Sequence, residues 1–195
     1  MRQQAKVTVR AADEAKVRLT LISGGQEGAD IGGLRAGKAC GIPTGGWAPK
    51  FWQTEHGNQP GLAAYGLREC PEAGYLKRTS YNVHDATAIV WFGNPHSPGG
   101  RATFRLAELA TIPSYTVIHT STPAEVLDWL VGMIFVGEDH VRLMIAGNRE
   151  SRSPGIGKMV ERFVTELIGL LRKGDFLVED EADVSAVREE SGHRS

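Results

Sequence analysis

Short apolar runs alternate along this chain with longer segments in which apolar residues recur at helical spacing. The apolar runs have the length and composition of buried strands, and they span residues 17–22, 86–92, 114–119 and 141–146. The segments with helical character span residues 31–40, 75–85, 101–110, 122–136 and 154–172. Strands that alternate with helices favour a parallel sheet covered on both faces. The pattern therefore predicts one doubly wound α/β domain with a mainly parallel sheet.

Two polar segments flank the predicted domain, which covers residues 17–172. Residues 1–16 form a mixed, polar extension, and residues 173–195 form an acidic tail that we expect to be mobile. Residues 174–195 carry a net charge of −5, which leaves +4 on residues 1–173 because the whole chain carries −1. A charge of +4 suits a local anion site and is too small for general nucleic-acid binding.

The sequence carries no signal for membrane insertion or secretion. No stretch approaches the 18 consecutive apolar residues of a membrane span, and residues 1–18 lack the apolar core of a secretory signal. The two cysteines, Cys40 and Cys70, do not have the spacing of metal ligands, and the six histidines form no ligand pair. We therefore predict a cytoplasmic protein with neither a membrane partner nor a protein-bound metal.

The first strand leads into a glycine-rich turn and then into a helix. In this arrangement, unpaired backbone amides and the helix dipole favour an anion, usually phosphate. We expect Asp30 to be the N-cap of the helix. We also expect close packing, either of the helix on the sheet or of a ligand on the backbone, to offset the cost of its three glycines. Glycine in the turn lets a ligand approach the backbone. The alternative is a tight connection that binds nothing. The predicted ligand-binding residues of this turn are Ser23, Gly24, Gly25, Gln26, Gly28 and Asp30.

Two further turns follow later strands, at residues 97–101 and 147–151. Because the carboxyl ends of parallel strands share one edge of a sheet, we expect all three turns to build one composite site there. Arginine suits planar, bidentate contacts with phosphate, although any single arginine is as well explained as a solvated surface charge. The candidates from these turns, together with one arginine of the preceding helix, are Arg78, Ser97, Gly99, Gly100, Arg101 and Arg149. Ser23 has no evident His/Asp relay, so we assign no catalytic residue.

A long irregular loop is predicted from about residue 45 to residue 68. Loops of this length inside a compact domain are usually functional or disordered, and three aromatic side chains, Trp47, Phe51 and Trp52, argue against disorder here. Two interpretations stay open for them. The aromatic side chains pack against a neighbouring subunit, or Trp47 covers a planar ligand.

Several separate motifs of this sequence resemble those of the putative molybdenum carrier proteins and occur in the same order along the chain. These are Rossmann-like members of the superfamily that includes lysine-decarboxylase-like and DprA-like nucleotide binders. The matching segments are residues 22–30, 41–50, 78–87, 99–100, 146–151 and 154–156. Glu27 departs from the family pattern, which usually has a small hydroxyl residue there. The motifs add Trp47, Lys50, Asn82, Thr103 and Glu150 to the predicted ligand-binding residues.

The resemblance implies a Rossmann-like fold and the binding of a phosphate-bearing, nucleotide-like small molecule. The family's ligand is the molybdenum cofactor (molybdopterin), a pterin that carries a phosphate and a dithiolene-held metal. The resemblance also implies a homo-oligomer, either a dimer or a tetramer.

Related phosphoribohydrolases carry a Pro-Gly-Gly-x-Gly-Thr-x-x-Glu motif whose glutamate acts at the ribosyl carbon. Here Pro98 to Thr103 matches the start of that motif, but Leu106 stands where the glutamate would be. Glu108 lies about 200° further round a helix, so it does not replace that glutamate. This favours a binding protein over two alternatives: a nucleotide-processing hydrolase and a nucleotide-sensing module.

Overall fold

The computed structural model describes residues 16–134 and 138–178, which form eight strands and five helices. The strands are β1 (Arg18–Ile22), β2 (Thr44–Ala48), β3 (Gln53–Thr54), β4 (Gly57–Asn58), β5 (Leu67–Glu69), β6 (Ala88–Phe92), β7 (Ser114–Val117) and β8 (His140–Gly147). The helices are α1 (Ala29–Ala39), α2 (Tyr75–Asp85), α3 (Pro98–Leu109), α4 (Pro123–Ile134) and α5 (Ile156–Lys173). Short 3₁₀ helices cover Lys50–Trp52 and Pro60–Tyr65.

Six of the strands form one parallel sheet, in the order β5-β2-β1-β8-β6-β7. The strands β3 and β4 form a separate antiparallel hairpin. Helices cover both faces of the sheet, so the predicted doubly wound, Rossmann-like α/β fold is confirmed. None of the helices in residues 16–134 and 138–178 has the length and apolar character needed to span a bilayer.

The last strand of the chain, β8, lies in the middle of the sheet between β1 and β6. Its burial follows from its sequence, since four consecutive residues, Leu143 to Ala146, are apolar and buried. If the chain began at β8, the strands would follow the order of an ordinary doubly wound sheet that grows in both directions from its first strand. The fold is therefore a doubly wound sheet whose first strand and helix have been moved to the end of the chain.

The two ends of the described domain meet, as this rearrangement requires. Val17 donates a backbone hydrogen bond to Phe176 (2.9 Å) and accepts one from Val178 (3.0 Å). The domain thus extends past α5 to residue 178, several residues beyond the predicted start of the tail. Residues 1–15 and 179–195, which hold most of the predicted extension and acidic tail, lie outside the described residues.

Two apolar clusters attach the helices to the two faces of the sheet. On one face, α1, α4 and α5 pack over inward-facing residues of β1, β6 and β8, such as Leu21, Phe92 and Ile145. On the other face, α2 and α3 pack over Ile89, Trp91 and neighbouring residues. Because successive residues of a strand face opposite sides of the sheet, cover on both faces explains why β6 is apolar throughout and why β8 is apolar from Leu143 to Ala146.

Close packing accounts for the glycines of α1. A Cβ on Gly32 would meet the backbone oxygen of Gly157 in α5, and one on Gly33 would lie 2.5 Å from Cγ2 of Ile145 in β8. The expectation that packing offsets the low helix propensity of these glycines is confirmed. A capping box begins α4, since Thr122 N–H donates to Glu125 Oε2 at 2.8 Å and Glu125 N–H donates to Thr122 Oγ1 at 3.3 Å.

The sequence pattern missed two strands at one edge of the sheet. β2 includes Gly45, Gly46 and Trp47, which begin the predicted irregular loop, and β5 lies at the end of that loop. Neither strand has a run of β-branched residues. They form because pairing with β1 satisfies the backbone of β2, and pairing with β2 satisfies that of β5.

The contact between the chain ends predicts a stability effect close to the boundary of the domain. Leu177 is buried at 6% exposure, whereas the adjacent Val178 is 46% exposed. We expect Leu177→Ala to lower the free energy of unfolding by about 2 kcal/mol, because it empties a packed site. Val178→Ala is the matched control and should change it by less than about 0.5 kcal/mol. Equal effects in urea denaturation would show that the chain ends do not pack as described.

Candidate functional site

A cavity of about 1110 Å³ lies at the carboxyl edge of the sheet. Its floor is formed by Trp91 of β6 and by Met144 and Ala146 of β8, and its wall includes residues from the first turns of α2 and α3. The loops after β1 and β8 complete the wall. The three turns that the sequence predicted to converge are therefore adjacent at this edge.

Two of these turns are joined backbone to backbone. Gly28, with φ of 111°, pairs with Arg149 in an isolated antiparallel bridge. Ala29 N–H donates to Asn148 O (3.2 Å), and Glu150 N–H donates to Glu27 O (3.0 Å). A Cβ on Gly28 would lie 2.5 Å from Glu150 N and 2.7 Å from Asn148 O, so only glycine permits this approach. The role of Gly28 is thus to join the two turns.

A buried ion pair lies at the inner end of the cavity. Arg78 Nη1 of α2 is 3.4 Å from Asp30 Oδ2 of α1, and both side chains are less than 10% exposed. The guanidinium lies across Gly24, where any Cβ would collide with it. The pair therefore links α2 to the first glycine turn across the carboxyl edge of the sheet.

Burial dominates the electrostatics of this pair. It raises the pKa of Asp30 above the ordinary value for aspartate, and Arg78 and the Gln26 N–H counteract this only in part. Burial likewise lowers the pKa of Arg78, while Asp30 opposes that shift. The guanidinium stays charged at any accessible pH. The inner end of the cavity thus has a fixed positive charge, on Arg78, next to a carboxylate that binds a proton more readily than usual.

The prediction that Asp30 is the N-cap of α1 is wrong. The N-cap is Gly28, which has no capping side chain, and Asp30 is the second residue of the helix. Its carboxylate instead accepts the Gln26 N–H at 3.2 Å. Asp30 therefore organises the glycine turn from inside the helix.

Three buried polar atoms have no hydrogen-bond partner in the part of the chain that the structure describes, and all three belong to residues of the cavity wall. They are Gln26 Oε1, Arg78 Nε and Trp91 Nε1. An unsatisfied buried polar group costs about 1–3 kcal/mol, and native proteins contain few of them. Such atoms concentrated around one cavity are typical of a site that a bound molecule or ordered water completes.

The N-terminus of α3 forms one side of the cavity. Ser97 caps the helix by accepting the Gly100 N–H at 3.1 Å, and Gly99 and the buried Thr103 line the wall. Gly100 faces away from the cavity, because a Cβ there would collide with the backbone of Pro95. This turn leaves a helix N-terminus, with its partial positive charge, next to the cavity.

An arginine-rich loop after β8 forms the opposite side. Arg149 is held by Glu55, whose Oε1 lies 3.3 Å from Nη1, and by the ring of Tyr75, whose centroid is 4.6 Å from the guanidinium carbon. Arg152 is exposed and has no ion pair or hydrogen bond from its side chain to the described residues. Among the described arginines of the wall, it is therefore the one whose side chain has no partner.

The structure brings seven of the predicted ligand-binding residues into the cavity wall. They are Gln26, Asp30, Arg78, Ser97, Gly99, Thr103 and Arg149. The other ten lie nearby or further away and have structural contacts of their own. They are Ser23, Gly24, Gly25, Gly28, Trp47, Lys50, Asn82, Gly100, Arg101 and Glu150.

The first residues of the glycine turn face the interior of the protein. Ser23 is buried and its hydroxyl donates to Ile145 O at 2.6 Å. Gly25 has φ of 74°, and a Cβ there would lie 2.8 Å from Leu67 Cδ2 and 3.0 Å from Leu62 Cδ1. The leucine side chains and the positive φ are sufficient to explain a glycine at this position.

Trp47 and Asn82 hold α2 against β2. Asn82 is fully buried, accepts the Trp47 N–H at 2.9 Å and donates to Trp47 O at 3.0 Å. The indole N–H donates to Asp85 Oδ2 at 2.8 Å, and the guanidinium carbon of Arg68 lies 4.1 Å from the ring centroid. These contacts place the indole outside the cavity wall, so it does not cover a ligand there.

Three charged candidates do not line the wall themselves and are engaged in other contacts. Lys50 Nζ lies 5.5 Å from the ring centroid of Phe51, and Arg101 donates to His96 O. Glu150 accepts the backbone N–H groups of Gly155 and Gly157 at the start of α5, and these bonds lower its pKa. Glu150 thus caps a helix, a role that the sequence pattern did not indicate.

Several wall residues were not among the predictions. Arg152 and Ser151 belong to the same turn as Arg149, so the turn itself was a signal for both. Glu55 and Tyr75 gave no local signal, because a hairpin and a helix far apart in sequence bring them to the wall. Within the described part of the chain, no cluster of three or more His, Cys, Asp or Glu side chains is placed to hold a metal ion.

The buried pair predicts non-additive stability effects. We expect Asp30→Asn to lower the free energy of unfolding by about 3 kcal/mol, because it leaves a buried guanidinium without a counter-charge. Arg78→Met should lower the free energy of unfolding by less, because the remaining Asp30 carboxyl can bind a proton and become neutral. The double variant should lose less free energy of unfolding than the two single variants lose together. Additive losses in urea denaturation would contradict a direct interaction.

The same analysis fixes the sign of a pH effect in Arg78→Met. Without the guanidinium, the pKa of Asp30 in the folded state rises further above its unfolded value of about 3.9. The folded state then holds more protons than the unfolded state between those two pKa values. The stability of this variant should therefore fall as pH rises through that window, relative to Asp30→Asn/Arg78→Met. Parallel pH profiles for the two proteins would contradict the raised pKa.

Comparison with known proteins agrees with this geometry. A crystal structure from Syntrophus aciditrophicus SB, described as a putative molybdenum carrier protein, has a TM-score of 0.69 and 28% sequence identity. The match covers 80% of this chain and 98% of that one. No curated protein matches the chain. The model of the circularly permutated YpsA SLOG family matches residues 21–168. The permuted strand order seen here is that of the family's description, and the chain belongs to the circularly permutated YpsA SLOG family.

Proposed function

We propose that this protein binds a phosphate-bearing, nucleotide-like small molecule in the cavity at the carboxyl edge of β1, β6 and β8. The observation that carries the proposal is the set of unpartnered buried polar atoms of Gln26, Arg78 and Trp91 around that one cavity. A ligand with both donors and acceptors would satisfy them. The cavity volume of about 1110 Å³ is at the upper end of small-molecule sites.

The phosphate end of the ligand belongs at the outer side of the cavity. Arg152 offers an unpaired guanidinium there, and the first turn of α3 offers the positive end of a helix dipole. Serines add hydroxyl donors, since Ser151 and Ser153 also line the wall. Arginine with hydroxyl and helix N-terminal donors is a common arrangement for phosphate.

A planar ring system fits the inner side. Trp91, Met144 and Ala146 form an apolar floor, and Trp91 is 3% exposed. A flat apolar floor with polar atoms at its border favours a heterocycle over a flexible chain. The ring would lie on this floor with its polar edge toward Gln26 and Arg78.

The molybdenum cofactor is the candidate cargo. Its phosphate and its pterin match the outer and inner sides of the cavity, and the related structure from Syntrophus aciditrophicus SB is described as a putative molybdenum carrier protein. Neither Cys40 nor Cys70 lines the wall, so the metal would be held by the cofactor's own dithiolene. Assembly into a homo-oligomer and a cytoplasmic location stay predictions.

A carrier or storage role fits the cavity better than hydrolysis. Leu106, at the position of the hydrolase glutamate, packs beside the apolar cluster under α2 and α3 and is not part of the wall. Glu108 is exposed and also lies outside the wall. We therefore expect no release of free base from nucleoside monophosphates. Base release over many turnovers, lost in Asp30→Asn, would favour the hydrolase instead.

Native mass spectrometry and calorimetry test the proposal directly. We expect the purified protein to carry a small molecule of nucleotide size, and to bind adenosine 5′-monophosphate as a probe. Arg152→Ala should weaken binding of that probe about tenfold, because it removes one charge-assisted phosphate contact. Arg105→Ala, on the exposed side of α3 and outside the wall, is the matched control. Equal affinities for the two variants would contradict a phosphate subsite at Arg152.

A further inference from the structure

A carboxylate of the protein itself occupies the best-formed anion contacts of the cavity. Glu55 Oε1 accepts hydrogen bonds from Arg149 Nη1 at 3.3 Å and from Ser151 Oγ at 2.8 Å. All three residues line the cavity. The Glu55 side chain is 16% exposed, so it is largely withdrawn from solvent although it carries a charge. A phosphate oxygen bound at this position would use the same two donors.

Independent contacts hold the donors in place without Glu55. The ring of Tyr75 stacks against the Arg149 guanidinium, and the backbone of Arg149 is fixed by the bridge to Gly28. Arg152, in the same loop, adds a second guanidinium that has no partner among the described residues. Arg149, Arg152 and the Ser151 hydroxyl thus form an anion subsite. The Glu55 carboxylate brings only one negative charge to the two positive charges of this subsite.

Glu55 reaches this subsite from a small and separate hairpin. The strands β3 and β4 have two residues each, and the segment between them carries Glu55. The hairpin is joined to the first glycine turn by the bond from Gln26 Nε2 to Gln53 O (3.0 Å). Two side-chain hydrogen bonds connect the hairpin to the loop after β8, and the Glu55 carboxylate accepts both of them. Loss of those two bonds would free this side of the hairpin.

We propose that Arg149 and Ser151, which both donate to the Glu55 carboxylate, form a phosphate subsite at which a bound phosphate displaces Glu55 and releases the β3–β4 hairpin. This inference rests on the proposed function. A terminal phosphate carries about −1.5 to −2 charges and three acceptor oxygens, so it exceeds a carboxylate on both counts. The tethered carboxylate lowers the affinity for any anion by the fraction of time that it fills the subsite.

Calorimetry with inorganic pyrophosphate tests the displacement. Glu55→Gln keeps the shape of the side chain and removes its charge, and it should bind pyrophosphate about three to ten times more tightly than the unmodified protein. Glu27→Gln is the matched control, because Glu27 lines the same cavity but its side chain contacts neither Arg149 nor Ser151. It should raise the affinity less than about twofold, through weakened long-range repulsion alone.

Hydrogen exchange of the hairpin supplies a second readout. Pyrophosphate should speed exchange of the amides of residues 54–58 in the unmodified protein, and Glu55→Gln should show fast exchange without it. Equal affinity gains in Glu55→Gln and Glu27→Gln, or slower hairpin exchange on binding, would overturn the displacement alone. Absence of pyrophosphate binding to all three proteins would overturn the proposed anion site and the displacement together.

Discussion

The approach of Gly28 to the loop after β8 is the contact on which the rest of the carboxyl edge depends. Gly28 adopts a φ of 111°, and two backbone hydrogen bonds join its turn to Asn148 and Glu150. The approach aligns the loop that carries Arg149 with the turn that carries Gln26. A side chain at Gly28 would separate them, so the geometry of the cavity follows from the absence of one Cβ.

Because the order of the strands is permuted, the contact between Gly28 and the loop after β8 connects parts of the chain that are far apart in sequence. β1 and β8 are adjacent in the sheet although more than a hundred residues separate them, and Val17 meets the segment around Leu177. Such long-range pairing costs loop-closure entropy, which the buried residues of β8 offset. The site therefore forms only when the last strand has joined the first.

Charge in the cavity wall is balanced, since three arginines stand against three carboxylates. Asp30 partly neutralises Arg78 at the inner end, and Glu55 partly neutralises Arg149 at the outer end. The inner pair is buried and links α2 to the first turn, so it is a structural element. The outer pair is formed by an exposed hairpin and is easier to separate. Arg152 supplies the remaining positive charge of the wall, and Glu27 supplies the remaining negative charge.

The sequence by itself determined the fold class and the edge of the sheet that carries the cavity, because apolar periodicity and glycine turns are local properties. Only the tertiary structure decided which turn residues face the cavity. Ser23 and Gly25 turn inward, and Asn82 binds the backbone of β2, whereas Glu55 reaches the wall from a distant hairpin. The direction of a side chain in a turn depends on which elements pack against it. That packing is set by strand order, and a sequence pattern with period 2 or 3.6 contains no information about strand order.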